Sequence, residues 1–102
     1  MASRLQLHEE LCSILGSRNV YFQPPETLEM DYPCIRYFRS GVDQKHANDG
    51  GYISTNRYEL TVIDYAPDSD IPDKILARFP RCRFDRPYIA DNLNHFVLTL
   101  YF

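Results

Sequence analysis

Two runs of alternating side chains constrain this sequence more than anything else in it. Tyr58, Leu60 and Val62 alternate with Arg57, Glu59 and Thr61 within a long strand-like stretch from Tyr52 to Tyr65. The final run, His95 to Phe102, alternates Val97, Thr99 and Tyr101 with Phe96, Leu98, Leu100 and Phe102. A period of two sends successive side chains to opposite faces of a strand, so both runs predict β-strands with an apolar face to bury. A sheet of this kind needs a second layer lying on it. The first cover is the segment from Ser3 to Gly16, where Leu7, Leu11, Ile14 and Leu15 follow the i, i+4, i+7, i+8 spacing of an amphipathic helix. Ser3 and Gln6 make a capping box, and Gly16 stands where a left-handed residue closes a helix.

The other elements follow from their punctuation. Asn19 to Gln23 is rich in strand formers and ends at Pro24-Pro25, which suits an edge strand. Tyr32 to Ser40 predicts a further strand with Pro33 at its start, and Gly41 to Tyr52 predicts a polar hairpin loop joining it to the strand that follows. Segment 67–73 supplies an N-cap, an early proline and acids for the positive end of a short helix that runs through Arg78 and Phe79 to Pro80. Cys82 to Tyr88 is the strand before the last, with Asp91-Asn92 in the turn. The expected fold is one α+β domain over residues 1–102, in the order α-β-β-β-α-β-β. Its mainly antiparallel sheet of four to five strands is flanked by two helices on one face.

At 102 residues there is room for one domain, and 44% hydrophobic residues with fourteen aromatics describe a folded chain. No stretch approaches a membrane span, and Glu9 and Glu10 interrupt the N-terminal segment where a signal peptide is apolar, so a cytosolic origin is expected. The three widely spaced cysteines, Cys12, Cys34 and Cys82, predict reduced, buried thiols rather than a disulfide framework.

Chemistry was sought in the reactive side chains. A thiol–imidazole pair could be drawn from Cys34 or Cys82 with His8, His46 or His95, but each cysteine sits in an apolar strand, where packing is its usual role. Asp43, His46 and Asp49, and also Asp68, Asp70 and Asp73, are the nearest approaches to a metal-ligand cluster. The second set lacks the spacing and the distal glutamate of a calcium loop and is read as helix capping.

Charge is more informative. The net charge is −3, which weakens a nucleic-acid reading, and nine of the eleven cations are arginine, the cation suited to interfaces. Asp64, Asp68, Asp70 and Asp73 form an acidic block, and Arg78, Arg81, Arg83 and Arg86 a basic block after it. One reading is two solvated faces paired within the monomer. The other is a head-to-tail contact between copies, which closes into a ring.

The whole chain resembles small neck proteins of tailed bacteriophages, the tail terminator or tail completion (head–tail joining) family. The resemblance is most specific in Tyr32-Pro33-Cys34-Ile35-Arg36-Tyr37, in Ile71-Pro72-Asp73-Lys74-Ile75, and from Phe84-Asp85-Arg86-Pro87-Tyr88 through Asp91-Asn92-Leu93-Asn94-His95-Phe96 to Tyr101-Phe102. It implies a structural virion protein, made in the host bacterial cytoplasm, with no catalytic residues, cofactor, metal or membrane contact. Such a protein forms a hexameric ring that caps the tail tube, ends its growth and docks to the head. Its partners are copies of itself, the tail tube protein and the head-completion or connector protein, and genomic DNA passes through its lumen without specific binding.

Three sets of residues are candidates under that resemblance. Val42, Asp43, Gln44, Lys45, His46, Asn48 and Asp49 form the contact loop to a neighbouring ring. Arg78, Arg81, Arg83 and Arg86 are candidates for subunit contacts, and Asp43, Asp49, Asp68 and Asp70 for an acidic lumen that repels DNA. Two further readings of the family resemblance and the residues stay open: a head-completion (stopper or adaptor) protein, and, from another class, a small cytosolic Cys/His enzyme. A nucleic-acid-binding regulator using segment 78–86 and Tyr88 is a third.

Overall fold

The computed structural model describes residues 3–46 and 52–102 of the chain. Helix α1 (Arg4–Leu15) begins and ends as its caps dictate: Ser3 and Gln6 exchange the two bonds of a capping box, and Gly16 adopts φ 82° with its N–H donating to the Cys12 carbonyl. Strands β1 (Val20–Phe22), β2 (Cys34–His46), β3 (Tyr52–Asp64), β4 (Cys82–Ala90) and β5 (Leu93–Tyr101) form one sheet in the order β1-β2-β3-β5-β4. Helix α2 (Ile71–Arg78) joins β3 to β4. The expected order and the mainly antiparallel α+β class are those observed, and β1 is an edge strand, paired parallel to β2.

Cross-strand registers show why the chain has two layers. Ile35 pairs with Val62 and Tyr37 with Leu60, and these continue into Phe96 and Leu98 of β5, so apolar side chains accumulate on one face. Leu7 and Leu11 of α1 and Ile71 and Ile75 of α2 pack on that face and form one core with Tyr37, Tyr58, Leu60 and Leu100. Full burial of each aliphatic side chain contributes about 2 kcal/mol. A smaller cluster occupies the opposite face at one end, where Cys34, Ile63 and Leu93 are covered by Tyr21, Met30 and Tyr32. The β1–β2 connection thus partly covers a face that the two-layer expectation left bare.

Several expectations need correction. The predicted loop from Gly41 to Tyr52 is largely strand, because the β2–β3 ladder continues to the pair His46 and Tyr52. Polarity there does not entail a loss of strand geometry. Asp70 occupies the N-cap of α2 without a side-chain capping bond; instead the Ile71 N–H donates to the Ser69 hydroxyl at 3.4 Å. The β4–β5 turn places Asp91 at φ 53° and Asn92 at φ 62°, two left-handed residues in succession, as a two-residue hairpin requires. Cys12 and Cys34 are buried, but Cys82 is only partly so.

Candidate functional site: a projecting ribbon and an open sheet face

The ribbon arises because β2 and β3 outrun their neighbours. Strand β3 loses its β5 partner beyond the pair Arg57 and Tyr101, while its ladder with β2 continues through five further pairs to His46 and Tyr52. At about 3.4 Å per residue this two-stranded arm extends some 17 Å past the sheet, consistent with the molecule's long dimension of 51 Å against 26 and 23 Å. Its base is secured by Arg57, whose Nε donates to the Ser40 hydroxyl at 3.1 Å and whose Nη2 donates to the Ser40 carbonyl at 3.0 Å. The bulge between Arg39 and Gly41 lies at the same point. A Cβ at Gly41 would come within 2.4 Å of Arg57 Nη2, so glycine there lets the guanidinium keep its bonds to Ser40. Of the residues expected to reach a neighbouring ring, Val42 is half exposed, and Asp43, Gln44, Lys45 and His46 contribute backbone to the ribbon. Asn48 and Asp49 lie outside the described residues.

The second surface is the sheet face away from the helices. Arg36 of β2, Thr61 of β3, Val97 of β5 and Arg86 of β4 form one cross-strand row. Phe38, Glu59, Thr99 and Arg83 form the next. A bulge between Phe84 and Arg86 decides this arrangement: strict alternation would send Arg83 and Arg86 to opposite faces, and the extra residue Asp85 returns both to the open one. Asp85 then receives hydrogen bonds from the Thr99 hydroxyl and, at 2.9 Å, from Arg83 Nε. Burial pushes its carboxyl up, yet those two bonds and the nearby arginines outweigh this and hold it below the usual carboxylate range.

The basic block of the sequence is therefore divided in space. Arg78 bonds to Glu10 of α1 and stacks over Phe79, clasping the two helices on the far side of the sheet. Arg81 covers the Tyr101 ring at 4.7 Å, and Arg86 lies 5.4 Å from the Tyr88 ring. Asp68 and Asp70 are exposed in the β3–α2 connection, Asp70 with Lys74 at 3.4 Å. Sequence reasoning missed Arg36, Phe38, Arg57 and Glu59. The available signal was their alternation with Ile35, Tyr37, Tyr58 and Leu60, which assigns them to the layer that no helix covers.

Among the described residues, Cys34 and Cys82 do not come together with His95. Cys82 is paired with Leu100 on the helical face, whereas His95 stacks on Tyr88 at 4.5 Å on the open face, with Nδ1 3.1 Å from the Leu93 carbonyl. Cys34 shares the row of His95, but Ile63 stands between them. Burial pushes the thiols of Cys34 and Cys82 up to about 11. Among the described residues no three His, Cys, Asp or Glu side chains come together as a metal site. No described helix is long and apolar enough to cross a membrane. Comparison with protein-family models, with curated proteins and with solved structures found no match.

Proposed function

We propose that this chain is a tail terminator of a tailed bacteriophage. Six copies form a ring on the last ring of the tail tube, end its growth and offer the docking surface to the head-completion protein. The observation that carries this reading is the β2–β3 ribbon, five pairs long beyond the support of β5. An isolated two-stranded ribbon is marginal in water and carries unpaired backbone groups along both edges, so an element of this shape gains most when a neighbouring molecule covers it. The near end-to-end sequence resemblance supports the same reading, and so does the mainly antiparallel sheet flanked by two helices, which is the fold that the resemblance implies. So does charge: six copies at −3 each carry −18, which suits a conduit that must pass DNA without holding it.

Electron microscopy of tails assembled with and without the protein tests the proposal. Tails of uniform length, capped by a six-fold ring only when the protein is present, are expected. Normally capped tails in its absence would overturn it.

A further inference from the structure

Helices α1 and α2 leave part of their own face of the sheet bare. Along β4, Cys82, Phe84, Pro87 and Ile89 lie on that face, opposite Leu100, Leu98, Phe96 and Asn94 of β5. Cys82 packs against the main core, but Phe84 and Ile89 belong to neither core cluster, and they are 41% and 75% exposed. Phe96 is a partly buried neighbour of both, with its ring 6.5 Å from that of Phe84. The helical layer thus stops short of the β4 edge, and an apolar stripe runs along the margin.

At one end of the stripe the β3–α2 connection forms a cleft of about 360 Å³, with Pro67 on one wall and Pro87, Ile89 and Phe96 on the other. That wall is fixed: Asn94 Nδ2 donates to the Tyr65 carbonyl at 3.1 Å, and the Ala66 N–H donates to the Asp64 carboxylate at 3.2 Å. The cleft is therefore built before a partner arrives. Its surroundings are acidic. Segment 64–74 carries Asp64, Asp68, Asp70 and Asp73 against Lys74 alone, a net of −3 that equals the charge of the whole chain. Asp70 and Asp73 serve the positive end of α2, and Lys74 lies 3.4 Å from Asp70. Asp68, directly after Pro67, is exposed and has no ion-pair partner among the described residues. No lysine or arginine lines the cleft among the described residues, since Arg83 and Arg86 project to the opposite face.

The chemistry of the site selects its occupant. An added strand is disfavoured, because the bulge between Phe84 and Arg86 breaks the line of the β4 edge and Pro87 has no N–H to give. A lipid or nucleic-acid surface would set phosphates against the carboxylates. A helix needs only side-chain contact. From Phe84 to Ile89 the stripe spans four residues of the facing β5 strand, about 14 Å, which is the length of about nine helical residues. We propose that this stripe and cleft dock a cationic amphipathic helix of a different protein, its apolar side chains on Phe84, Phe96 and Ile89 and its lysines or arginines towards Asp68 and the neighbouring carboxylates. The inference places Asp68 in a partner contact rather than in a lumen. It stands apart from the terminator reading, since neither a ring nor a tail enters it.

A fourteen-residue peptide of leucine and lysine tests the site, acetylated and amidated, with leucines at i, i+3, i+4 and i+7 and one of them replaced by tryptophan. The chain has no tryptophan of its own, so the peptide's emission reports binding. Saturable one-to-one binding in the micromolar range is expected at low salt, weakening at high salt. Ile89→Lys should weaken it by about tenfold or more, because the anchor is lost and like charges then oppose. Asp68→Asn should weaken it several-fold, whereas Leu5→Lys, at another exposed leucine on α1, should leave it unchanged. The same peptide with glutamate in place of lysine should bind about tenfold or more weakly. Ile89 is exposed, and circular dichroism checks that its variant stays folded. Equal affinity of the natural chain and Ile89→Lys overturns the proposal, as does equal binding of the glutamate peptide, or binding lost in Leu5→Lys instead. Sedimentation equilibrium showing that the natural chain self-associates and Ile89→Lys does not would make a second copy the cover of the stripe, and would also overturn it.

Discussion

The hydroxyl of Tyr37 lies 2.8 Å from Nδ1 of His8, joining the middle of β2 to the first helix. Arg4 Nη1 donates to the same oxygen at 3.3 Å; with the hydroxyl proton directed at Nδ1, the contact requires a neutral imidazole. Burial, then the Arg4 charge, lowers the His8 pKa from the ordinary 6.5. A folded value below the unfolded one means that the unfolded chain takes up the proton first. Stability from this contact is complete above about pH 6.5 and declines as pH falls from there towards the folded value. Urea unfolding at pH 7.5 and 5.5 should show the natural chain losing more stability than His8→Gln. Equal losses would mean that His8 is not held neutral.

Thiol chemistry gives a sharper test of the Cys/His enzyme reading. With Cys34 and Cys82 pushed up to about 11 by burial, and Cys12 also raised by burial, almost no thiolate exists at neutral pH. An aromatic disulfide reagent at pH 7.5 should meet no rapid phase in the native protein and three reactive thiols after unfolding. One stoichiometric fast-reacting cysteine in the native chain would restore a Cys/His mechanism to consideration.

The Asp85 side chain links the β4 bulge to Thr99 and Arg83. Asp85→Asn should cost about 1 kcal/mol at pH 7, the worth of a charge-assisted bond on a partly exposed group. Because the folded carboxyl titrates below its ordinary 3.8, the contribution is present above that value and is lost as pH falls from there through the lower folded value. The stability gap between the natural chain and the variant should therefore close below about pH 4. A gap that persists in acid would indicate a packing effect instead.

How far the fold was legible follows from which residues carry local signals. Ser3, Gln6 and Gly16 define α1 by capping alone, and Tyr58, Leu60 and Val62 declare their strand by period, so both were readable and the element order with them. The β2–β3 ribbon was not, because 41–46 carries too little apolar character for either period to register, and only pairing with 52–57 makes it strand. The open face was hidden by the bulge at Asp85: read with unbroken alternation, Arg83 and Arg86 fall on opposite faces. The Glu10–Arg78 clasp joins residues far apart in sequence and leaves no trace in spacing.

At the base of the ribbon, Gly41→Ala sets a methyl against the Arg57 guanidinium, the far end of a flexible side chain that can move but loses its bonds to Ser40 on moving. A loss of about 1 kcal/mol is expected from those bonds. In Arg57→Ala the same glycine substitution should cost much less, so a double-mutant cycle by urea unfolding should show clear coupling. Additive costs would place the requirement for glycine in the backbone of the bulge.

Trimming the ribbon separates folding from assembly. Asp43 and Thr55 face each other in the ladder, so replacing residues 44–54 by Asn-Gly joins them through a two-residue hairpin turn without disturbing any pair below. The core residues Tyr37, Tyr58, Leu60 and Leu98 all lie on the retained side of that cut. Unfolding stability should therefore change by less than about 1 kcal/mol, while capping of tails, scored by electron microscopy, should be lost. A trimmed chain that folds and still produces capped tails of uniform length would show that the ribbon is not the element that grips the neighbouring ring. The search would then move to the exposed helical side around Leu5.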